Sequence, residues 1–98
     1  MLRDAWYSAW IKSEEELWDS PVRYAGQNGR SALELLRNLK RVETSPLSSG
    51  LRVTAIGARR EGAGGRHWQL FVNNMPVTEL PERYRTSDNT ILEWRFVR

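Results

Sequence analysis

Alternation of apolar and polar residues predicts most of the strands in this 98-residue chain. Residues 5–12 place large apolar side chains on both faces of an extended segment, which is typical of a strand. Residues 17–25 form a weaker strand that is interrupted at Pro21, and proline favours a sheet edge because it cannot donate to a strand ladder. Three further strands are predicted at residues 51–57, 67–72 and 91–97.

One segment instead repeats its apolar residues at helical spacing. Ser31 and Glu34 have the spacing of a capping box, in which each side chain satisfies a backbone N–H at the start of a helix. The residues that follow predict a helix of about three turns with one apolar stripe. That stripe consists of Ala32, Leu35, Leu36, Leu39 and Val42. The pair Ser45-Pro46 is expected to end the helix.

Glycine, proline and asparagine mark the connections between the strands. Residues 59–66, rich in arginine and glycine, predict a flexible hairpin loop, and Asn73-Asn74 predicts a tight turn. A longer loop runs through Pro76 and Pro81 to a second turn at Asp88-Asn89.

The predicted order of elements is ββαβββ, and residues 1–98 are expected to form a single α+β domain. A single amphipathic helix has one apolar stripe to bury, and one face of a single sheet is enough to cover that stripe. We therefore expect a β-grasp-like architecture with one mixed sheet packed on a single helix. The final strand, the most apolar on one face, is expected at the centre of the sheet beside the first.

Composition and charge change this picture little. The chain is 40% apolar and 28% charged, as is usual for a globular domain, and its net charge is +3. Thirteen arginines stand against two lysines, but the acidic residues are interspersed among the basic ones. Nucleic-acid binding through arginine-rich loops is therefore an alternative, though not the favoured one. The chain has no cysteine, which excludes disulfides and thiolate metal sites.

The sequence contains no recognisable signal peptide and no apolar run of the roughly 18 residues that suggest a membrane span, and it leaves the compartment open. Signatures of catalysis are also missing from it. The only histidine, His67, has no histidine or cysteine at metal-ligand spacing. The glycine-rich stretch 62–65 joins two strands and does not open a helix, so it is a weak candidate for a phosphate loop. We expect no enzymatic activity, no metal site and no intrinsic cofactor.

The last third of the chain resembles a known family. Three segments carry the likeness in order: HWQLF at 67–71, YRTSDN at 84–89 and LEWRFV at 92–97. They resemble the carboxy-terminal β-domain of transcobalamin and intrinsic factor, and equally the bacterial transcobalamin-like domain, whose function is mostly uncharacterised. The SALELL run that begins at Ser31, the pair Ile56-Gly57 and the strand from Trp68 to Asn73 also match, so the resemblance covers roughly residues 17–98.

This resemblance implies a β-grasp-like sheet and a possible ligand. In the vitamin carriers the domain covers one face of a corrin ring while a separate helical barrel holds the other, and relatives are often secreted or surface-attached. The implied ligand is cobalamin. Carried over by position, the ligand-binding surface comprises Trp68, Gln69, Phe71, Asn73, Asn74, Met75 and Val77. The sequence departs from the family in lacking the barrel and in having Asn74 where bacterial relatives often have glycine.

The strand at 67–72 divides these residues between two faces. The face expected in the core carries Trp68, Leu70 and Val72. The opposite face carries Gln69, Phe71 and Asn73. An exposed Phe71 beside Tyr7, Trp10 or Trp18 would form an aromatic patch suited to something flat or apolar.

The sequence therefore predicts a non-enzymatic binding domain for a small apolar-faced ligand, with a corrinoid as the suggestion of the resemblance. A protein–protein interaction module is the first alternative, and nucleic-acid binding is the second.

Overall fold

The structure, a computed structural model, describes residues 20–98. Helix α1 spans Ala32–Leu39, and a short 3-10 helix spans Ala63–Gly65. The strands are β1 (Val22–Ala25), β2 (Val42–Leu47), β3 (Gly50–Ile56), β4 (Arg59–Arg60), β5 (His67–Val72), β6 (Met75–Pro76) and β7 (Ile91–Val97). The α+β class is confirmed, while the strand predicted at 5–12 lies outside the described residues.

The described strands form two antiparallel sheets. The first has the order β1-β7-β5-β6, and the second has the order β2-β3-β4. In the first sheet, Leu92 of β7 lies opposite Tyr24 of β1, and Trp94 of β7 lies opposite Leu70 of β5. β7 is therefore an interior strand between β1 and β5. The strand at 5–12, beside which the last strand was predicted to lie, is outside the described residues, so that pairing stays a prediction.

The single mixed sheet of the β-grasp prediction is not confirmed, because the hairpin of β2 and β3 belongs with β4 to a second sheet. Its first strand occupies residues that were predicted to continue the helix. The helix ends at Leu39, and Lys40 already has an extended backbone (φ −139°, ψ 155°). Val42 and Thr44 are β-branched and suit extended backbone, and Pro46 is tolerated because β2 lies at an edge.

Helix α1 begins where the sequence predicts. The Ser31 side chain accepts a hydrogen bond from Glu34 N at 3.1 Å, and the Glu34 carboxylate pairs with Arg30 at 2.5 Å. The buried face consists of Ala32, Leu33, Leu35 and Leu36. The predicted stripe was wrong at its end, because Leu39 is 57% exposed and Val42 belongs to a strand.

A buried hydrogen-bond chain joins the first sheet to the helix. Trp94 Nε1 donates to Tyr24 Oη at 2.9 Å, and the Tyr24 hydroxyl donates to the carbonyl of Ala32 at 2.8 Å. Burial raises the pKa of Tyr24 to about 12, while the hydrogen bond from Trp94 acts in the opposite direction. The tyrosine is therefore neutral and polar in an otherwise apolar core.

Two loops interlock beside the start of α1, at residues 26–30 and 85–90. Thr86 N donates to the carbonyl of Arg30 at 2.8 Å, and Thr86 Oγ1 accepts from Gln27 N at 2.9 Å. At Gly26 a Cβ would collide with the carbonyl of Ser87, so only glycine allows this approach. These contacts fix the second loop against the helix start.

The connection predicted as a loop at 59–66 is more ordered than expected. Arg59 and Arg60 pair with Ile56 and Ala55 of β3, and the 3-10 helix follows. The tight turn at Asn73-Asn74 is confirmed: both residues have positive φ, 47° and 70°, which asparagine tolerates better than most residues.

Candidate ligand-binding groove

The predicted alternation along β5 is confirmed. Trp68, Leu70 and Val72 are buried, whereas Gln69 and Phe71 are half-buried on the opposite face. Because cross-strand neighbours share a face, Met75 lies on the side of Val72, its partner in β6. The seven residues predicted to bind a ligand are therefore divided between the two faces of the first sheet and do not form one surface.

Phe71 does not form an exposed aromatic patch with the other described residues. The Arg95 guanidinium lies over its ring, 3.8 Å from the centroid. Arg95 also donates to Glu93 Oε1 at 3.0 Å and to Asn74 Oδ1 at 2.6 Å. The predicted neighbours of Phe71 in the patch, Tyr7, Trp10 and Trp18, lie outside the described residues.

Glu93 is the acidic centre of this outer face. Besides Arg95, it accepts a hydrogen bond from Arg23 at 3.2 Å. The hydrogen bond from Arg95 lowers the pKa of Glu93 below its usual range; burial opposes the shift, and the charges of both arginines and the hydrogen bond from Arg23 add to it. Arg23, Glu93, Arg95 and Asn74 therefore pair with one another, which leaves this cluster few unpaired polar groups for a ligand.

The side chains of the two turn asparagines hydrogen-bond to β7 and hold the turn against it. Asn73 Oδ1 accepts from Ile91 N at 2.9 Å, and Asn73 N donates to the carbonyl of Ile91 at 2.9 Å. Asn74 holds Arg95, as described above. Met75 is 67% exposed and therefore offers apolar surface beside this turn.

A groove of about 280 Å³ lies between the hairpin of β2 and β3 and the first sheet. Its apolar lining includes Leu47, Leu51, Trp68, Leu70, Val77 and Leu80. We call this the β3–β5 groove. Of the predicted site residues it includes Trp68, Gln69 and Val77. Arg52, Thr78 and Glu79 add polar groups. The arrangement provides an apolar slot with charged groups of both signs.

Each side of the groove is fixed by a hydrogen bond between a polar side chain and the backbone. Gln69 Nε2 donates to the carbonyl of Val77 at 2.9 Å, which holds the segment 77–81 against β5. Glu82, the residue after this segment, accepts through Oε1 from Leu51 N at 2.8 Å, which ties the end of the segment to β3. A side chain at Gly50, where φ is 149°, would collide with the Glu82 carboxylate. Gln69 is therefore a positioning residue for the wall.

Trp68 is held rigidly at the base of the groove. Its Nε1 donates to the carbonyl of Arg59 at 2.9 Å, and its ring stacks on Phe96 with centroids 4.7 Å apart. The guanidinium of Arg59 lies 4.8 Å from the Trp68 ring, and burial lowers the pKa of Arg59. These contacts hold the Trp68 ring in one position, so its part of the groove lining is a fixed aromatic surface.

The sequence analysis missed the leucines that line the groove. Leu47 and Leu51 flank the turn of the hairpin of β2 and β3, and Leu47 remains 45% exposed. Their proximity follows only if residues 42–47 form a strand, which the helical spacing of Val42 concealed. Leu80 was assigned to a loop, where no periodic pattern indicates burial.

Many of the arginines have acidic partners. Five form ion pairs within the described residues, namely Arg23, Arg30, Arg52, Arg60 and Arg95. Exposed pairs of this kind contribute little to stability, but they reduce the positive charge available to a phosphate backbone. In the same part of the chain no group of three or more histidine, cysteine, aspartate or glutamate residues could hold a metal ion. No helix within residues 20–98 is long and apolar enough to cross a bilayer.

No family model, curated protein or solved structure matches the chain. The resemblance to the transcobalamin β-domain therefore stays a prediction made from the quoted segments.

Proposed function

We propose that the chain is a non-enzymatic binding domain that receives the apolar part of a small ligand in the β3–β5 groove. The observation that carries the proposal is Leu47, which leaves nearly half of its side chain in solvent at the groove, beside half-buried Val77 and Leu80. Burying an apolar surface of this kind is the usual driving force for small-molecule binding. We also propose, from the resemblance, that the chain is related to the β-grasp-like domain of transcobalamin.

The size of the groove limits how a ligand can enter. Ligand pockets commonly measure roughly 300–1,000 Å³, so a groove of about 280 Å³ takes a substituent or an edge and not a whole macrocycle. A corrinoid, the ligand implied by the resemblance, would insert one apolar edge above Trp68. Its polar side chains would then meet Arg52, Thr78 and Glu79.

Titration of the purified chain with cyanocobalamin, followed by isothermal calorimetry, tests this proposal. Leu47→Ser should weaken binding, because it removes the exposed apolar side chain at the groove. Leu39→Ser is the matched control, since Leu39 is a comparably exposed leucine on the helix and does not line the groove. Equal weakening by both variants would contradict the groove as the site, and the absence of saturable binding would contradict the corrinoid.

A partner protein is the second candidate, favoured by the position of β2. This strand pairs only with β3 among the described strands, so its other edge can add a strand from an extended peptide. Leu47 at the end of β2 would then contact an apolar side chain of that peptide. Binding of a protein that survives Leu47→Ser but is lost when proline replaces Thr44 in β2 would favour this candidate over the groove.

A further inference from the structure

Asn28 and Asp88 hold the two interlocked loops together by a reciprocal set of hydrogen bonds, which we call the Asn28–Asp88 clasp. Asn28 N donates to Asp88 Oδ1 at 3.0 Å, and Asn28 Nδ2 donates to Asp88 Oδ2 at 2.8 Å. In return, Asp88 N donates to Asn28 Oδ1 at 3.0 Å. Both residues are exposed, so the clasp is open to water and its groups can exchange partners.

Asn28 precedes Gly29, and this order of residues favours an intramolecular reaction. The next backbone nitrogen can attack the side-chain amide of an asparagine, and glycine has no side chain to obstruct the approach. The Gly29 nitrogen bonds to Asn28 Cγ and loses its proton, the bond from Cγ to Nδ2 breaks, and ammonia leaves. Water then opens the succinimide at either carbonyl and gives aspartate or isoaspartate.

The folded structure occupies both reacting groups. The Asn28 amide is engaged by Asp88 through its nitrogen and its oxygen. The Gly29 nitrogen donates to the carbonyl of Thr86 at 3.3 Å. Attack on Cγ requires the Asn28 side chain to leave Asp88 and Gly29 N to leave Thr86, so the clasp must open before the reaction can proceed.

We propose that Asn28 is a spontaneous deamidation site that the Asn28–Asp88 clasp protects, and that its conversion releases the two loops from each other. Conversion replaces Nδ2, the donor that lies 2.8 Å from Asp88 Oδ2, with a carboxylate oxygen. Two like charges then face each other where a hydrogen bond stood. The isoaspartate product also lengthens the backbone, which displaces Gly29 from Thr86.

The rate of conversion in the full chain tests the protection. The protein is kept folded at mildly alkaline pH, and deamidation at each asparagine is followed by peptide mapping and mass spectrometry. Asp88→Ala should accelerate conversion of Asn28 by about five- to thirty-fold, the factor that corresponds to the net contribution of one or two hydrogen bonds. Ser48→Ala, at an exposed serine in the turn of the hairpin of β2 and β3, should leave the rate unchanged.

The unfolded chain in denaturant gives the rate without protection. A native rate equal to that rate, or a native rate that Asp88→Ala does not raise, would overturn the proposal that the clasp protects Asn28.

A charge exchange tests the consequence of conversion without relying on a rate. Asn28→Asp should lower the melting temperature, because it places two carboxylates opposite each other. Combining it with Asp88→Asn restores one amide and one carboxylate, and should recover most of the loss. An unchanged melting temperature for the single variant, or a double variant no more stable than the single one, would show that the loops are not released in this way.

Discussion

Removing one buried hydroxyl tests the account of the core most directly. The change is Tyr24→Phe, which keeps the ring and deletes the oxygen that links Trp94 to Ala32. The Ala32 carbonyl loses one donor, but it sits in the first turn of α1, where a carbonyl also accepts the helical bond from four residues later. Trp94 Nε1, in a residue that is 3% exposed, is left without an acceptor.

The expected loss of stability follows from the indole N–H of Trp94, which is left without a hydrogen-bond acceptor. Leaving one buried donor unsatisfied costs about 1–3 kcal/mol, so we expect the free energy of unfolding to fall by about 2 kcal/mol. For a domain of this size each 1 kcal/mol corresponds to a change of about 4–8 °C in melting temperature, and the expected decrease is about 8–16 °C. Such a loss is a large fraction of a stability on the order of 5 kcal/mol.

Urea denaturation followed by far-ultraviolet circular dichroism measures this loss. Tyr84→Phe is the matched control, because the Tyr84 side chain packs against the core but its hydroxyl has no hydrogen-bond partner among the described residues. The same Tyr24→Phe change should cost less in a Trp94→Phe background, where there is no indole N–H to orphan. A cost below about 0.5 kcal/mol, or strict additivity in the double variant, would show that the bond from Trp94 to Tyr24 does not stabilise the core.

Three further predictions concern the core and the response to pH. Leu36→Ala should cost about 2–5 kcal/mol because Leu36 is fully buried, whereas Leu39→Ala should be nearly neutral; equal melting temperatures for the two variants would show that the helix face is misassigned. The lowered pKa of Glu93 contributes stability above its unfolded-state pKa that is lost as the pH falls through the folded-state value, so Glu93→Gln should flatten the acid limb of a stability–pH curve. The raised pKa of Tyr24 contributes stability that is complete below the ordinary tyrosine pKa of about 10 and is lost as the pH rises toward about 12, so Tyr24→Phe should flatten the alkaline limb; an alkaline limb unchanged in that variant would contradict the assignment.

Local signals predicted the elements that depend on local chemistry. The strands at 67–72 and 91–97, the Asn73-Asn74 turn and the cap at Ser31 each have a local pattern that favours the backbone conformation found. Residues 42–47 were misassigned because Val42 continues the helical spacing of Leu35 and Leu39. The choice between helix and strand there is made by pairing with β3, a contact that local periodicity does not express.

The candidate site was harder to predict for the same reason. Trp68, Gln69 and Val77 were named and line the groove, but no local pattern indicates that Gln69 also holds its wall by donating to the carbonyl of Val77. Leu47 comes to the groove from the end of β2 and Leu80 from a distant loop, so only the tertiary arrangement brings them together. A resemblance by sequence position identifies a surface. It does not show which side chains of that surface already have partners within the protein.

The interior position of β7 has a consequence for how the molecule folds. The interior strand of the first sheet is the last of the described strands, and its pairing with β1 joins residues about seventy positions apart, such as Tyr24 and Leu92. Closing so long a loop carries a large entropic cost, which contacts between distant residues repay only late. The hairpin of β2 and β3, with its short turn, can form early by itself. During synthesis, the first sheet therefore has to wait until residues 91–97 have left the ribosome, and until then the apolar faces of β1 and β5 lack the strand that joins them.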